Sequence, residues 1–189
     1  VYVSAHSLKD VKKMIMVASG KGGVGKSTIA VNLAAALSQR GLSVGILDAD
    51  IYGPSIPVLL NAHSKPQVID KEMLLPVTAH GMKMISMGNL FPRKKAIAWR
   101  GQLVSGTILQ FLKKVSWGEL DYLIVDLPPG TGDVQLTITK AVKPNGVIIV
   151  STPQQVARED VLRCISMFND MKIPIIGILE NMTSWICEQ

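Results

Sequence analysis

The sequence predicts an α/β fold in which a mostly parallel sheet is flanked by helices on both faces, giving three layers, α/β/α. Three observations predict it. Short apolar runs alternate with helical patterns along the chain, as repeated βαβ units require. Several of those runs are continuous in Val, Ile and Leu, which marks strands buried on both faces. Between the first run and the first helix stands Gly20-Lys21-Gly22-Gly23-Val24-Gly25-Lys26-Ser27-Thr28, which matches the phosphate-binding pattern G-x-x-x-x-G-K-[ST] in its required strand–loop–helix setting.

The first strand, 14–18, is Met14-Ile15-Met16-Val17-Ala18 and feeds that loop. A helix at 27–40 leaves the loop and stops at Gly41. Its Ile29, Leu33 and Leu37 fall on one face and are expected to pack on the sheet. Strands at 44–47, 82–86, 122–125, 147–151 and 175–179 follow, with helices at 101–114, 133–141 and 157–171. In the last helix Val161, Ile165 and Phe168 form a second apolar stripe. The stretch 61–80 contains Pro66 and Pro76, shows little periodicity, and is read as a loop with short extended pieces. Without repeat, low-complexity tract or linker, 1–189 reads as one domain.

Bulk composition narrows the function. At 189 residues, 48% hydrophobic and 18% charged, the chain is long enough for one buried core and is not disordered. No apolar run approaches the roughly 20 residues that span a bilayer. The net charge of +6 is scattered, and its one cluster, Arg93-Lys94-Lys95 between Phe91 and Trp99, reads as a solvated loop, so no nucleic-acid partner is expected. Two cysteines, Cys164 and Cys187, exclude a disulfide scaffold, and His6, His63 and His80 lack metal-ligand spacing. The chain begins at Val1 with no signal-peptide pattern and is expected to be a fragment or a processed form.

The chemistry concentrates at the ends of strands. Glycines 20, 22, 23 and 25 let backbone N–H groups close around phosphate oxygens, and the following helix adds its dipole. Lys26 is placed to reach the β- and γ-phosphates, and the Ser27 hydroxyl to ligate Mg²⁺. Strand 44–47 runs into Asp48-Ala49-Asp50, and strand 122–125 into Asp126-Leu127-Pro128-Pro129-Gly130-Thr131-Gly132-Asp133. In an open α/β sheet, ligands sit beyond the carboxyl ends of the strands. Asp126 is therefore assigned to Mg²⁺ and Asp50 to the attacking water. The Pro-Pro-Gly-Thr-Gly turn suits a loop that senses the γ-phosphate. Lys21, from the residues alone, is a solvated loop lysine.

Lys21-Gly22-Gly23-Val24-Gly25-Lys26-Ser27-Thr28, with its extra lysine, resembles the deviant phosphate loop of the SIMIBI class of P-loop NTPases, which includes MinD and ParA. Asp48-Ala49-Asp50-Ile51-Tyr52-Gly53-Pro54-Ser55 is more specific, as are Trp99-Arg100-Gly101, the run from Asp121 to Asp133, Ser151-Thr152-Pro153-Gln154-Gln155-Val156-Ala157, and Glu180-Asn181-Met182. Together they resemble the Mrp/NBP35 family of iron–sulfur cluster carrier ATPases from about Val11 to Cys187. Val115-Ser116-Trp117-Gly118-Glu119-Leu120 leans toward its mitochondrial, NUBPL-like branch of complex I assembly factors.

The resemblance implies a slow ATP hydrolase that works as a homodimer and delivers a [4Fe–4S] cluster to recipient apoproteins. It implies that Gly20 to Thr28, Val24 included, bind ATP, and that Lys21 crosses to the partner's phosphates as an in-trans cation, a device worth about 10³–10⁵ in rate. Asn181 falls where the family reads adenine. Cys187 falls on the first cysteine of a Cys-Pro-x-Cys pair whose thiolates hold a cluster bridging the dimer, but Glu188 replaces the proline and the second position lies just past Gln189. A [4Fe–4S] cluster takes four thiolates, so the site carried by this chain is incomplete, and Cys164 reads as a buried structural thiol. The mitochondrial matrix is the expected compartment, with the cytoplasm as alternative. The rival reading is a MinD- or ParA-like positioning or partitioning ATPase. An electron-transferring reductase or a phosphotransferase has less support.

Overall fold

A computed structural model describes residues 8–69, 73–90, 106, 108–109, 112, 114–184 and 187. Its elements are β1 (Val11–Ala18), α1 (Lys26–Gln39), β2 (Val44–Asp48), α2 (Ile56–Leu59), β3 (Gln67–Ile69), β4 (Met73–Leu75), β5 (Val77–Ala79), β6 (Met82–Ser86), α3 (Met87–Leu90), β7 (Leu120–Asp126), α4 (Asp133–Val142), β8 (Gly146–Ser151), α5 (Gln155–Asp170) and β9 (Ile175–Glu180). Among the described residues the sheet has seven strands in the order β5-β6-β2-β7-β1-β8-β9. All its pairings are parallel except β5 with β6.

Alternation on the central strands builds the layers. On β1, Met14, Met16 and Ala18 enter one core with Leu123 and Val125 of β7, while Ile15 and Val17 enter the other with Ile124. The first core is closed by Ile138 of α4 and by Val161, Cys164 and Phe168 of α5. The second is closed by Ala30 and Ala34 of α1 and by Ile56 beside it. Burial on both faces explains the unbroken apolar runs. Phe168 is fully buried, and truncating such a side chain typically costs about 3–5 kcal/mol.

Two expectations hold and gain detail. The face of α1 that lies closest to the sheet is Ala30 and Ala34, fully buried; Ile29, Leu33 and Leu37 flank it, half-buried. Small side chains let the helix axis approach the strands, so the bulkier stripe is displaced to the edges of the contact. The short extended pieces expected in 61–80 are β3 and β4, which pair as an antiparallel hairpin, and β5, which extends the main sheet. Each of these strands is three residues long, too short to show a period. Of the helix expected at 101–114, Gly106, Ile108, Leu109, Leu112 and Lys114 are helical. The rest of it, with Phe91, Arg93, Lys94, Lys95, Trp99 and Arg100, lies outside the described residues.

The helix that leaves the loop ends as its sequence suggests. Gly41 takes φ +81° and donates to the Ser38 carbonyl at 2.9 Å, while the Leu42 N–H reaches Leu37 at 3.4 Å. This is the paired C-terminal arrangement that a left-handed glycine permits.

Candidate functional site

Register brings the chemistry into one row. Ser86 of β6 stands opposite Asp48 of β2, Asp48 opposite Asp126 of β7, and Asp126 opposite Val17 of β1. The last residues of adjacent parallel strands therefore share one edge, with the glycine loop rising directly from β1. Gly23 and Gly25 hold φ +79° and +86°, a backbone that residues with a Cβ rarely adopt. A Cβ on Gly20 would lie 2.7 Å from the backbone carbonyl of Asp160 on α5, so only glycine fits where the loop leaves the sheet. The cleft between loop and strand ends holds about 330 Å³ and is lined by Gly22, Gly23, Gly25, Lys26, Ser27, Thr28 and Asp50.

Asp126 is the hub. It is fully buried; its Oδ1 accepts from the Lys26 Nζ at 2.5 Å and its Oδ2 from the Ser27 hydroxyl at 2.5 Å. Burial raises its carboxyl, against the opposing attraction of Lys26 and the Ser27 hydrogen bond. A hydroxyl and a carboxylate that meet at the foot of a phosphate cradle are hard oxygen donors of the kind Mg²⁺ prefers. Ser27 and Asp126 thus fit the metal assigned to them, and Lys26 stands where a polyphosphate would compete for its charge.

Asp50 lies beyond β2 on a turn that it builds itself: its Oδ1 accepts from the Tyr52 and Gly53 N–H groups at 3.2 and 3.1 Å. It lines both the phosphate cleft and a neighbouring cavity of about 400 Å³ walled by Tyr52, Pro128, Pro129, Val134 and Gln135. The Pro-Pro-Gly-Thr-Gly turn forms the far wall and is tied to the phosphate loop, Gly130 donating to the Ser19 carbonyl at 2.8 Å. The Gln135 side chain, buried on α4, donates to the Pro128 carbonyl of the same turn.

Sequence reasoning passed over Asp48. It is fully buried, accepts from the Ser86 hydroxyl at 2.8 Å and from the Asp50 N–H at 3.2 Å, and so anchors the turn that carries Asp50. Burial and the nearby Asp126 push its carboxyl up from 3.8 to about 7. The folded chain therefore holds this proton over a range where the unfolded chain has released it. Its contribution to stability is complete below about pH 4 and is lost as the pH rises through about 7. Relative to Asp48→Asn, the wild type is expected to lose up to about 4 kcal/mol between those limits, at about 1.4 kcal/mol per pH unit. Urea unfolding of both proteins at about pH 5, 6.5 and 8 measures the difference, and a flat difference refutes the assignment.

The remaining predicted residues divide. Lys21 is half-buried, and its side chain makes no hydrogen bond or ion pair among the described residues, although its carbonyl accepts from the Ser19 hydroxyl at 2.9 Å. Asn181 follows β9 and lies on the phosphate loop, its Nδ2 donating to the Val24 carbonyl at 3.0 Å. Cys187 is exposed, whereas Cys164 is buried under α5 with its thiol pushed up to about 11 by that burial and by Asp160. No group of three or more His, Cys, Asp or Glu side chains suited to a metal occurs among the described residues.

A glycine cradle closed by strand-end carboxylates on a mostly parallel sheet defines a P-loop NTPase. More narrowly, the chain belongs to the NUBPL iron-transfer P-loop NTPases, a ParA-type family whose model matches residues 10–189. An iron-sulfur cluster carrier protein of Deinococcus radiodurans is 50% identical over 181 residues, 95% of this chain and 52% of its own. An Arabidopsis thaliana protein described as an iron-sulfur protein required for NADH dehydrogenase, mitochondrial, is also 50% identical over 181 residues, 95% of this chain and 58% of its own. The chain thus spans about half the length of the curated relatives it matches. A nucleotide-binding protein of Archaeoglobus fulgidus, solved in complex with ADP, superposes with a TM-score of 0.83 at 44% identity, covering 96% of this chain and 71% of that one.

Proposed function

We propose that this chain is the ATPase domain, 1–189, of an iron–sulfur cluster carrier that binds and slowly hydrolyses Mg–ATP as a homodimer and passes a [4Fe–4S] cluster to recipient apoproteins. The observation that carries the nucleotide half of this reading is the meeting of Lys26 and Ser27 on one buried carboxylate, Asp126, beneath a glycine cradle. Lys26 and the N–H groups of residues 20–28 would hold the phosphates, Ser27 and Asp126 the Mg²⁺, and Asp50 the attacking water. Lys21, whose side chain makes no hydrogen bond or ion pair within the described chain, would serve the partner's nucleotide. With Nδ2 of Asn181 engaged by Val24, its Oδ1 is left to accept from the exocyclic amine of adenine. Guanine, with a carbonyl there, would be refused.

The family match favours cluster delivery over a positioning or partitioning role, and the name of the Arabidopsis relative supports complex I as a destination. We place the protein in the mitochondrial matrix on the same ground; the alternative is the cytoplasm, since a bacterial carrier matches at the same identity.

The cargo half is tested by coordination number. Four thiolates hold a [4Fe–4S] cluster, and a dimer of this chain offers two at Cys187 because Cys164 is buried. Anaerobic reconstitution is expected to leave the 189-residue chain with no cluster or a labile one, and to load a version with one cysteine appended after Gln189 stably, one cluster per dimer. Visible absorbance and iron content report the outcome. A stable cluster on the unmodified chain would mean that Cys164 or non-cysteine ligands take part; failure of the appended chain would sink the carrier reading.

A further inference from the structure

The Pro128–Gly132 turn walls the cleft with few means of holding itself. Pro128 and Pro129 carry no N–H. Among the described residues the turn's backbone reaches the phosphate loop once, from Gly130 to Ser19. A second tether comes from outside it. Gln135, the third residue of α4 and only 1% exposed, donates from Nε2 to the Pro128 carbonyl. A glutamine at this position of a helix commonly turns its oxygen back to the N–H of the capping residue. Here the capping residue, Gly132, has no side chain to return the bond, and the amide reaches past it to the turn. Its Oε1 is left buried with no donor among the described residues. Such an atom is rare in a folded protein and calls for a partner.

Gln135 also borders the cavity of about 400 Å³ that Asp50 helps to wall. Asp50 uses Oδ1 for Tyr52 and Gly53, and its Oδ2 accepts from no described residue. Two side chains of one cavity thus each keep an oxygen without a donor. The wall at Asp50, Gly53 and Pro129 is shared with the phosphate cleft, so what is ordered in the cavity stands beside the phosphates. Water suits both oxygens, because it gives two hydrogens and keeps lone pairs on its own oxygen for attack.

We propose that Gln135 is a positioning residue for ATP hydrolysis. Its Nε2 sets the turn against the cleft, and its Oε1 orders the water that Asp50 presents to the γ-phosphate. In that step the water oxygen bonds to the γ-phosphorus and the bond to the β,γ-bridging oxygen breaks. ADP leaves with that electron pair, and Asp50 takes the proton released by the water. Gln135 neither gives nor takes a proton. This rests on the ATPase reading above and deepens it, naming a second residue that prepares the nucleophile.

Two variants of the 189-residue chain test it. Gln135→Met keeps the volume and removes both polar ends. Its Mg–ADP affinity, read by calorimetry, is expected within about twofold of wild type, since Lys26 and the loop N–H groups are untouched. Single-turnover hydrolysis of bound ATP is expected to fall by about 10²-fold, the scale of a small misplacement at a reacting centre. Gln135→Glu adds a readout that a merely structural role would not move. A protonated glutamic acid donates to Pro128 and keeps an acceptor, as glutamine does, whereas the carboxylate cannot donate. Burial and the acids on the same wall, Asp50 and Asp133, raise that carboxyl against the pull of the α4 N-terminus. The rate of Gln135→Glu relative to wild type should therefore fall at least about tenfold as the pH rises across about 5–8. Equal rates in wild type and Gln135→Met overturn the proposal and leave the ATPase reading standing. Loss of binding in step with hydrolysis overturns it too, since Gln135 would then only support the cradle. Should thermal melts show Gln135→Met unfolded, the Gln135→Glu series decides alone, and a ratio independent of pH overturns the proposal. A wild type that binds Mg–ATP without hydrolysing it defeats the ATPase reading itself, and the positioning role falls with it.

Discussion

Lys26→Ala is expected to abolish measurable Mg–ATP binding, lowering affinity by at least about 10²-fold. Its ammonium sits in the cleft between the glycine loop and Asp126, nearly buried, where charge-assisted bonds to phosphate are about twice as strong as neutral ones. Losing two such contacts at about 1.5–3 kcal/mol each sets that scale. The same change removes the partner of a fully buried carboxylate. The unliganded protein should therefore also melt earlier, because breaking a buried pair leaves a desolvated charge. Calorimetric titration and thermal melts with and without nucleotide separate the two effects. Unchanged affinity would show that the loop backbone alone holds the ligand and would remove Lys26 from the assignment.

Asp50→Asn is expected to leave binding nearly intact and to cut hydrolysis by about 10²–10⁴-fold, the usual contribution of a positioned base. The geometry makes this a clean substitution. Asp50 uses Oδ1 to accept from Tyr52 and Gly53, and an asparagine oxygen can accept from the same two N–H groups. The turn is kept, and only the charge beside the cleft is lost. Single-turnover hydrolysis with saturation checked by titration reads the effect. If binding disappears while hydrolysis of the bound fraction is unchanged, Asp50 holds metal rather than water.

Much of this site was legible because its determinants are local. The glycine loop, the apolar run before it and the acids that terminate β2 and β7 each lie within a few consecutive residues, and parallel strands carry their carboxyl ends to one edge. What escaped depends on distance along the chain. Ser86 meets Asp48 across 38 residues and Asn181 meets Val24 across 157, so nothing near either residue announces the contact. Asp48 was visible as the first acid of Asp48-Ala49-Asp50, yet composition could not tell which acid lines the cleft and which is buried beneath the turn; the two stand two residues apart, so strand alternation does not separate them, and only the turn that follows β2 does. On α1, hydrophobicity favoured Ile29, Leu33 and Leu37, while close approach to the sheet selected Ala30 and Ala34.

The parallel topology also sets when the site can exist during synthesis. Lys26 and Asp126, which meet in the cleft, are separated by 100 residues, and β1 takes its neighbours from β7 and β8. At about 5–20 residues per second, the ribosome delivers Asp126 about 5–20 s after Lys26. Until then the glycine loop rises from a strand without neighbours. Nucleotide therefore cannot template the early steps of folding; it can only trap a chain whose sheet has already closed, and long-range parallel pairing is slow. Over that interval the apolar runs of β1 and β2 lack the β7 strand that lies between them in the finished sheet, and they stay open to one another and to other chains.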